Sequence, residues 1–332
     1  MTATLANTAI GTERPGLPER PDRLRMTRLV IGYAAVLGTL PYLSLKAAWL
    51  LGATVGIADP ALARDSSLFV LNTVTAGMDV VAVGVALAFT HRWGMRVPAW
   101  LVLGPMWVGT GLLAPIAIGM PVVGVGELVA GGGATAGGTG FLEPWVQPMV
   151  YTGFAWQGVT LVLAFVLYAR VRWASVFTAR IADVARGATH PVQVVLANGV
   201  AVLGLAVAAY HLAHAFGATI GLPAKAIEGR TTSAYLVEGV NGLMAGLAVV
   251  GILLMVHRRG GPFWVPLGLT WMGAGAMFAW GLWGLVNTLG RTFLVSGVQP
   301  LAQLNDLAKV LAGLVIALTA LMLLAEQQRS VA

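Results

Sequence analysis

The chain carries one membrane-spanning pattern twice, and that duplication restricts its fold more than any other feature. AVLG from Ala35, an apolar run and GATVGI (52–57) return roughly 165 residues later as AVLG from Ala201 and GATIGL (217–222). The loop HRWGMRVPAW (91–100) returns as HRRGGPFW (257–264), and WLVLGPMWVGTG (100–111) as WVPLGLTWMGAG (264–275). Ordered matches at near-constant spacing mark an internal repeat, and differences between the copies then point to function.

Each copy is built from apolar runs of about 20 residues or more, the length that a helix needs to cross a hydrocarbon core of roughly 30 Å. Eight such spans are expected at about 29–52, 68–90, 98–121, 145–170, 193–217, 235–256, 264–287 and 301–325. With 58% hydrophobic and 10% charged residues, the composition excludes an ordinary soluble domain. The expected fold is all-α, an integral membrane protein of eight transmembrane helices arranged as two parallel four-helix repeats. An even number of spans per copy gives both halves one orientation. The expected organisation is a disordered tail over 1–28, a first repeat over 29–170, a linker over 171–192, a second repeat over 193–325 and a short tail over 326–332. Apolar and basic residues alternate along the linker (Val171, Trp173, Val176, Phe177, Ile181, Val184), which suits an interfacial helix. The Gly-rich stretch 124–140 reads as a loop.

The net charge of +7 is orientation, not a nucleic-acid footprint. Fourteen arginines fall in the segments on the side of the termini, against four basic residues (Arg64, Lys225, Arg230, Arg291) in the opposite loops. The positive-inside rule therefore predicts cytoplasmic termini and a multi-pass protein of a bacterial inner (plasma) membrane. The expected partners are the lipid bilayer and a small-molecule or ion ligand, with no nucleic acid. Cysteine is absent, which excludes disulfides and thiolate metal sites. Gly109, Gly111, Gly273 and Gly275 occupy matching positions, and with the Gly242/Gly246 pair they suit close helix packing in lipid.

Ionisable groups inside spans are costly and tend to mark function. Six of them, Lys46, His211, His214, Glu238, Asp306 and Lys309, lie within roughly 12 Å of the outer ends of their spans at 1.5 Å per residue. Asp79 sits near mid-membrane. Lys46 either snorkels to the interface or pairs with Asp79. In the copy-to-copy alignment Lys46 faces His211, Asn72 faces Glu238, Thr75 faces Asn241 and Asp79 faces Ala245. Such divergence predicts one asymmetric site in the outer half of the membrane between the repeats, with Lys46, Asp79, His211, Glu238, Asn241, Asp306 and Lys309 binding a substrate or ion. His211 and His214, three residues apart on one helix face, could hold a divalent metal together with Glu238. That set lacks the third ligand and general base of the H-E-x-x-H pattern. No Walker A loop, aspartate-rich diphosphate motif or G-x-S-x-G elbow occurs.

The motifs PYLSLKAAWLLGATVGI (41–57), MDVVAVGVAL (78–87) and WLVLGPMWVGTGLLAP (100–115) resemble polytopic membrane proteins common in high-GC actinobacteria. The resemblance implies a bacterial source and a multi-span topology, and it brings no catalytic residue with it. Three function classes fit these residues: a transport or binding protein for a small molecule or ion, a membrane-embedded enzyme acting on a lipid or quinone-like substrate with or without a metal, and a non-catalytic membrane subunit or sensor.

Overall fold

A computed structural model describes residues 23–59, 61, 65–129, 142–292, 294 and 299–331. The described residues are helical and turn structure joined by two isolated backbone bridges. The helices are α1 (Arg23–Leu50), α2 (Ser66–Thr90), α3 (Ala99–Val129), α4 (Val146–Arg172), α5 (Ala174–Thr178), α6 (His190–Ala215), α7 (Ala224–Glu228), α8 (Thr232–Val256), α9 (Trp264–Leu289) and α10 (Pro300–Val331). All but α5 and α7 are long and apolar enough to cross a membrane, so the chain is an eight-span integral membrane protein. Eight spans put the first helix start and the last helix end at one end of the bundle, here the basal end. The loops after α1, α6 and α9 lie at the far end.

The helix ends follow local chemistry. GATVGI and GATIGL terminate α1 and α6 with the same hydrogen bonds, Ala53 N to Ala48 O at 2.9 Å and Ala218 N to Ala213 O at 2.9 Å. Gly52 (φ 89°) and Gly217 (φ 100°) supply the left-handed residue that this C-terminal cap requires. At the start of α2 the carboxylate of Asp65 accepts from Ser67 N at 2.8 Å, and Thr231 caps α8 in the same way through Ala234 N.

Two boundaries differ from the sequence expectation. The α1 helix begins at Arg23, inside the stretch expected to be a tail, and Arg28 donates to the Phe89 carbonyl at 2.6 Å at the end of α2. The rest of that expected tail lies outside the described residues. Helix α3 runs through the first Gly-rich residues to Val129. It is held there by Ser233, which donates to Glu127 at 2.5 Å, and by Leu236, which packs into the space left by Gly126. Residues 130–141 of the expected loop lie outside the described residues.

The linker does not form a continuous interfacial helix. After the single turn of α5, Ile181 N donates to Gly261 O (3.1 Å) and Phe263 N to Ala179 O (2.9 Å). Ile181 and Phe263 are fully buried. Ile181 and Val184 of the stripe expected to face lipid are drawn into the core of the second half, with Val176 packed against them, whereas Trp173 packs on the core of the first half and Val171 stays exposed. Arg258 fastens the same segment by donating to the Val184 and Ala185 carbonyls, and it pairs with Glu326 at 3.5 Å. Glu326 in turn accepts from Thr189 N (3.1 Å) and Oγ1 (2.6 Å) at the start of α6. Glu326 had read as tail; it is a buried partner inside α10.

In the first half α1 packs on α2 and α4, and α3 on α4. In the second, α6 packs on α8 and α10, and α9 on both α8 and α10. Helix α3 joins the halves, because a side chain at Gly111 would overlap the Gly275 backbone of α9. The glycine reading therefore holds for Gly111, Gly275 and Gly273, the last lying on the α8 backbone.

Candidate functional site

The buried charges predicted to form the site fall into two groups. In the first half, Lys46 Nζ lies 2.6 Å from Asp79 Oδ2, with side-chain exposures of 1% and 11%. The side chain of a helical residue leans toward the N-terminus of its helix. Lys46, close to the far end of α1, therefore reaches down toward mid-membrane, where α2 presents Asp79. The second partner of the ammonium is the face of the Tyr42 ring, 3.9 Å from its centroid and one turn earlier on α1. Tyr42 escaped the sequence reading, although a ring four residues before a buried lysine is the available signal.

This pair lies on the wall of a cavity of roughly 900 Å³. Its walls come from α1 (Tyr42, Lys46), α2 (Thr75, Met78, Asp79, Ala82, Val85), α3 (Gly104 to Ile116), α4 (Tyr151, Phe154, Gln157, Leu161) and α9 (Trp280, Trp283). The space exists because α2 leans on α1 and makes only passing contact with α3, whereas α8 and α9 are tightly packed. One exchange bears directly on the difference. In the alignment of the HR loops, Val85 stands where the second copy has Gly251. A Cβ at Gly251 would come within 2.5 Å of Thr270 Oγ1 and 2.6 Å of Thr270 N. The isopropyl group of Val85 denies α2 and α3 that approach. Gly109, whose match Gly273 touches α8, has nothing within 4 Å of its missing Cβ and lines the cavity.

Polar groups form a belt across the middle of the cavity. At 1.5 Å per residue, Asp79 lies roughly 20 Å from the far end of α2, and Gln157 roughly 16 Å from that of α4. Gln157 is 3% exposed, yet its side-chain amide has no hydrogen-bond partner among the described residues. The indole Nε1 of Trp280 is buried and also unpartnered. Above and below the belt the walls are apolar.

The second group lies around α6, α8 and α10. His211 Nδ1 is 2.6 Å from Glu238 Oε2, and Asn305 Nδ2 is 3.2 Å from His211 Nε2. With the amide donating to Nε2, the ring proton sits on Nδ1 and is directed at the carboxylate. Lys309 bonds Asp306 at 3.2 Å one turn along α10, and both carboxylates lie within electrostatic reach of Lys309.

The single site expected between the repeats does not form. Helix α9 stands between the two groups: Trp280 and Trp283 face the cavity, while Gly281 and Gly284 make room for Lys309 and Asp306. Asn241 joins neither, because its amide folds back to the Val237 carbonyl of its own helix at 3.1 Å. The expected metal set fails on geometry. His214 places its ring nitrogens 2.8 Å from Tyr210 O and 3.1 Å from Ile220 O, and both nitrogens of His211 are engaged. Among the described residues no group of three His, Cys, Asp or Glu could hold a metal ion.

The fold and site together define a multi-pass, all-helical membrane protein with an amphipathic cavity in its first half. No known family model, curated protein or solved structure matches the chain, so its function rests on the site itself.

Proposed function

We propose that the protein binds a membrane-soluble amphiphile in the cavity between α2 and α3 and carries it between the two sides of the bilayer. The observation behind this reading is the cavity itself: it sits at membrane depth, is mostly apolar, and has a buried Lys46–Asp79 pair on its wall. A cavity of roughly 900 Å³ suits one drug-sized ligand. The loosest wall is α2, which packs closely only on α1, so a ligand enters sideways from the hydrocarbon past this helix. The walls extend to Gly104, roughly 8 Å from the basal end of α3, and so follow most of the span. The arginine bias supports a cytoplasmic basal end. The duplicated sequence supports a scaffold whose first copy has diverged to hold the ligand.

A membrane enzyme is supported less well. Its best acid/base pair, His211–Glu238, does not line the cavity.

The test is extraction and mass analysis of small molecules retained by protein reconstituted in nanodiscs, compared with Gly109→Phe, which fills open cavity space. The wild type should retain about one amphiphile per chain that the variant lacks. Identical complements from both proteins would refute the reading.

A further inference from the structure

We infer that the amphiphile is uncharged and carries a polar group that both donates and accepts hydrogen bonds, an alcohol or a phenol in the simplest case. This inference rests on the cavity reading above and specifies its occupant.

The first ground is charge balance. The charged side chains lining the cavity are Lys46 and Asp79, one of each sign, and they are joined at 2.6 Å. Lys46 is 1% exposed, held between the carboxylate and the Tyr42 ring, so its charge is not offered to a ligand. An anionic head group would find no free cation at that depth. An ammonium would have to compete with Lys46 for Asp79. Either ion would also forfeit its own hydration, a large penalty in an apolar medium.

The second ground is the set of groups left without partners. Asp79 Oδ1 has no protein partner among the described residues, and an ionised carboxylate oxygen can only accept. The Gln157 amide, also on the cavity wall, can do both. A hydroxyl satisfies this set: its proton goes to the carboxylate and its oxygen receives the amide N–H. A quinone or ester carbonyl would leave Asp79 unanswered. The apolar walls above and below the belt fit the remaining body of the molecule.

Native mass spectrometry of the full chain, loaded with 1-dodecanol, dodecanoate or dodecylammonium at equal mole fraction, tests the inference. Chain length is held constant, and Gly109→Phe serves as the blocked reference. The wild type should hold dodecanol at least tenfold better than either ion, the lower bound set by the roughly 1–3 kcal/mol cost of leaving a buried polar group unpaired. The preference should then follow the missing partner: in Asp79→Asn dodecanoate supplies the counter-ion that keeps Lys46 charged, and in Lys46→Met dodecylammonium does the same for Asp79. If either ion binds the wild type as well as dodecanol does, the inference is overturned and the cavity reading stands. If no probe binds the wild type beyond the blocked reference, the cavity reading itself fails. The wild-type comparison decides both points even if a charge variant does not fold.

Discussion

Lys46→Met and Asp79→Leu, alone and together, give the sharpest test of the pair on which the cavity depends. Each single variant strands one charge at a site that is nearly closed to solvent. The stranded group has a cheaper course than staying charged, namely to change protonation. Neutralising a carboxylate of ordinary pKa at pH 7 costs about 4 kcal/mol, and neutralising an ammonium about 4.5 kcal/mol, at 1.36 kcal/mol per pH unit. Those figures cap the loss in each single variant and agree with the roughly 3–5 kcal/mol seen when one member of a buried pair is removed. The double variant leaves no charge behind and should be near neutral, so the two losses are strongly non-additive. The pH dependence has opposite signs in the two singles. In Lys46→Met the folded state holds a proton that the unfolded chain releases, so the deficit shrinks as pH falls from 7 toward 4. In Asp79→Leu the unfolded chain binds the extra proton, so the deficit shrinks as pH rises toward 10. Thermal inactivation half-lives in detergent between pH 5 and 9, read by light scattering, report both trends. Flat pH profiles together with additive losses in the double variant would refute a buried ion pair at this position.

Two further outcomes follow from local geometry. Gly251→Val forces a side chain against Thr270 and should cost about 1–3 kcal/mol by overpacking, while Val85→Gly should let α2 close on α3 and reduce ligand retention; melting temperature and extracted ligand measure the two. The N–H and hydroxyl of Ser67 hold the exposed Asp65 carboxyl below the usual carboxylate range, so its contribution to α2 is present above the ordinary value near 4 and is lost as pH falls through the lower folded value. Asp65→Ala should therefore loosen the first turn of α2 by about 1 kcal/mol at neutral pH, and by progressively less as pH falls below the ordinary carboxylate range, read by hydrogen exchange of the amides that follow Asp65.

The spans were legible in the sequence because length and hydropathy are sufficient to specify a transmembrane helix. The caps were legible for a similar reason, since only glycine takes the left-handed turns at Gly52 and Gly217 without strain. Pairing of Lys46 with Asp79 was one of two readings open to the lysine, and burial of its head group selects it. Clustering of all the charges was not legible correctly. Position along a span gives depth but not direction around the bundle. Lys46 and His211 are alike in depth, yet one pairs with Asp79 of α2 and the other with Glu238 of α8. The cavity could not be found by looking for unusual residues, because its walls are glycine, valine and methionine doing what such residues do elsewhere. The signal that was available is a polar or N–H-bearing side chain within a span, as at Gln157 and Trp280, and both line it. The linker misled because an apolar–basic stripe looks the same whether its apolar side meets lipid or, as with Ile181, the core of the same protein.

What separates the two halves is a small set of exchanges with large consequences. At the position of Gly251, which seats α8 on α9, the first copy has Val85, and α2 is held away from α3. At the position of Ala245, fully buried in the closed half, it has Asp79, and at the position of His211 it has Lys46. Neither change is tolerable alone. A carboxylate at Asp79 without the lysine would be stranded, and the opening at Val85 without polar groups would give only another lipid-filled crevice. Together they create a chamber that is neutral overall yet offers unpaired hydrogen-bonding groups at mid-membrane depth. Helix α9 then serves both halves with one set of residues: its tryptophans close the chamber on one side, and its glycines make room for the Asp306–Lys309 pair on the other. A substitution that enlarges Gly281 or Gly284 therefore pushes on the charged pair first and reaches the cavity only by displacing the tryptophan wall.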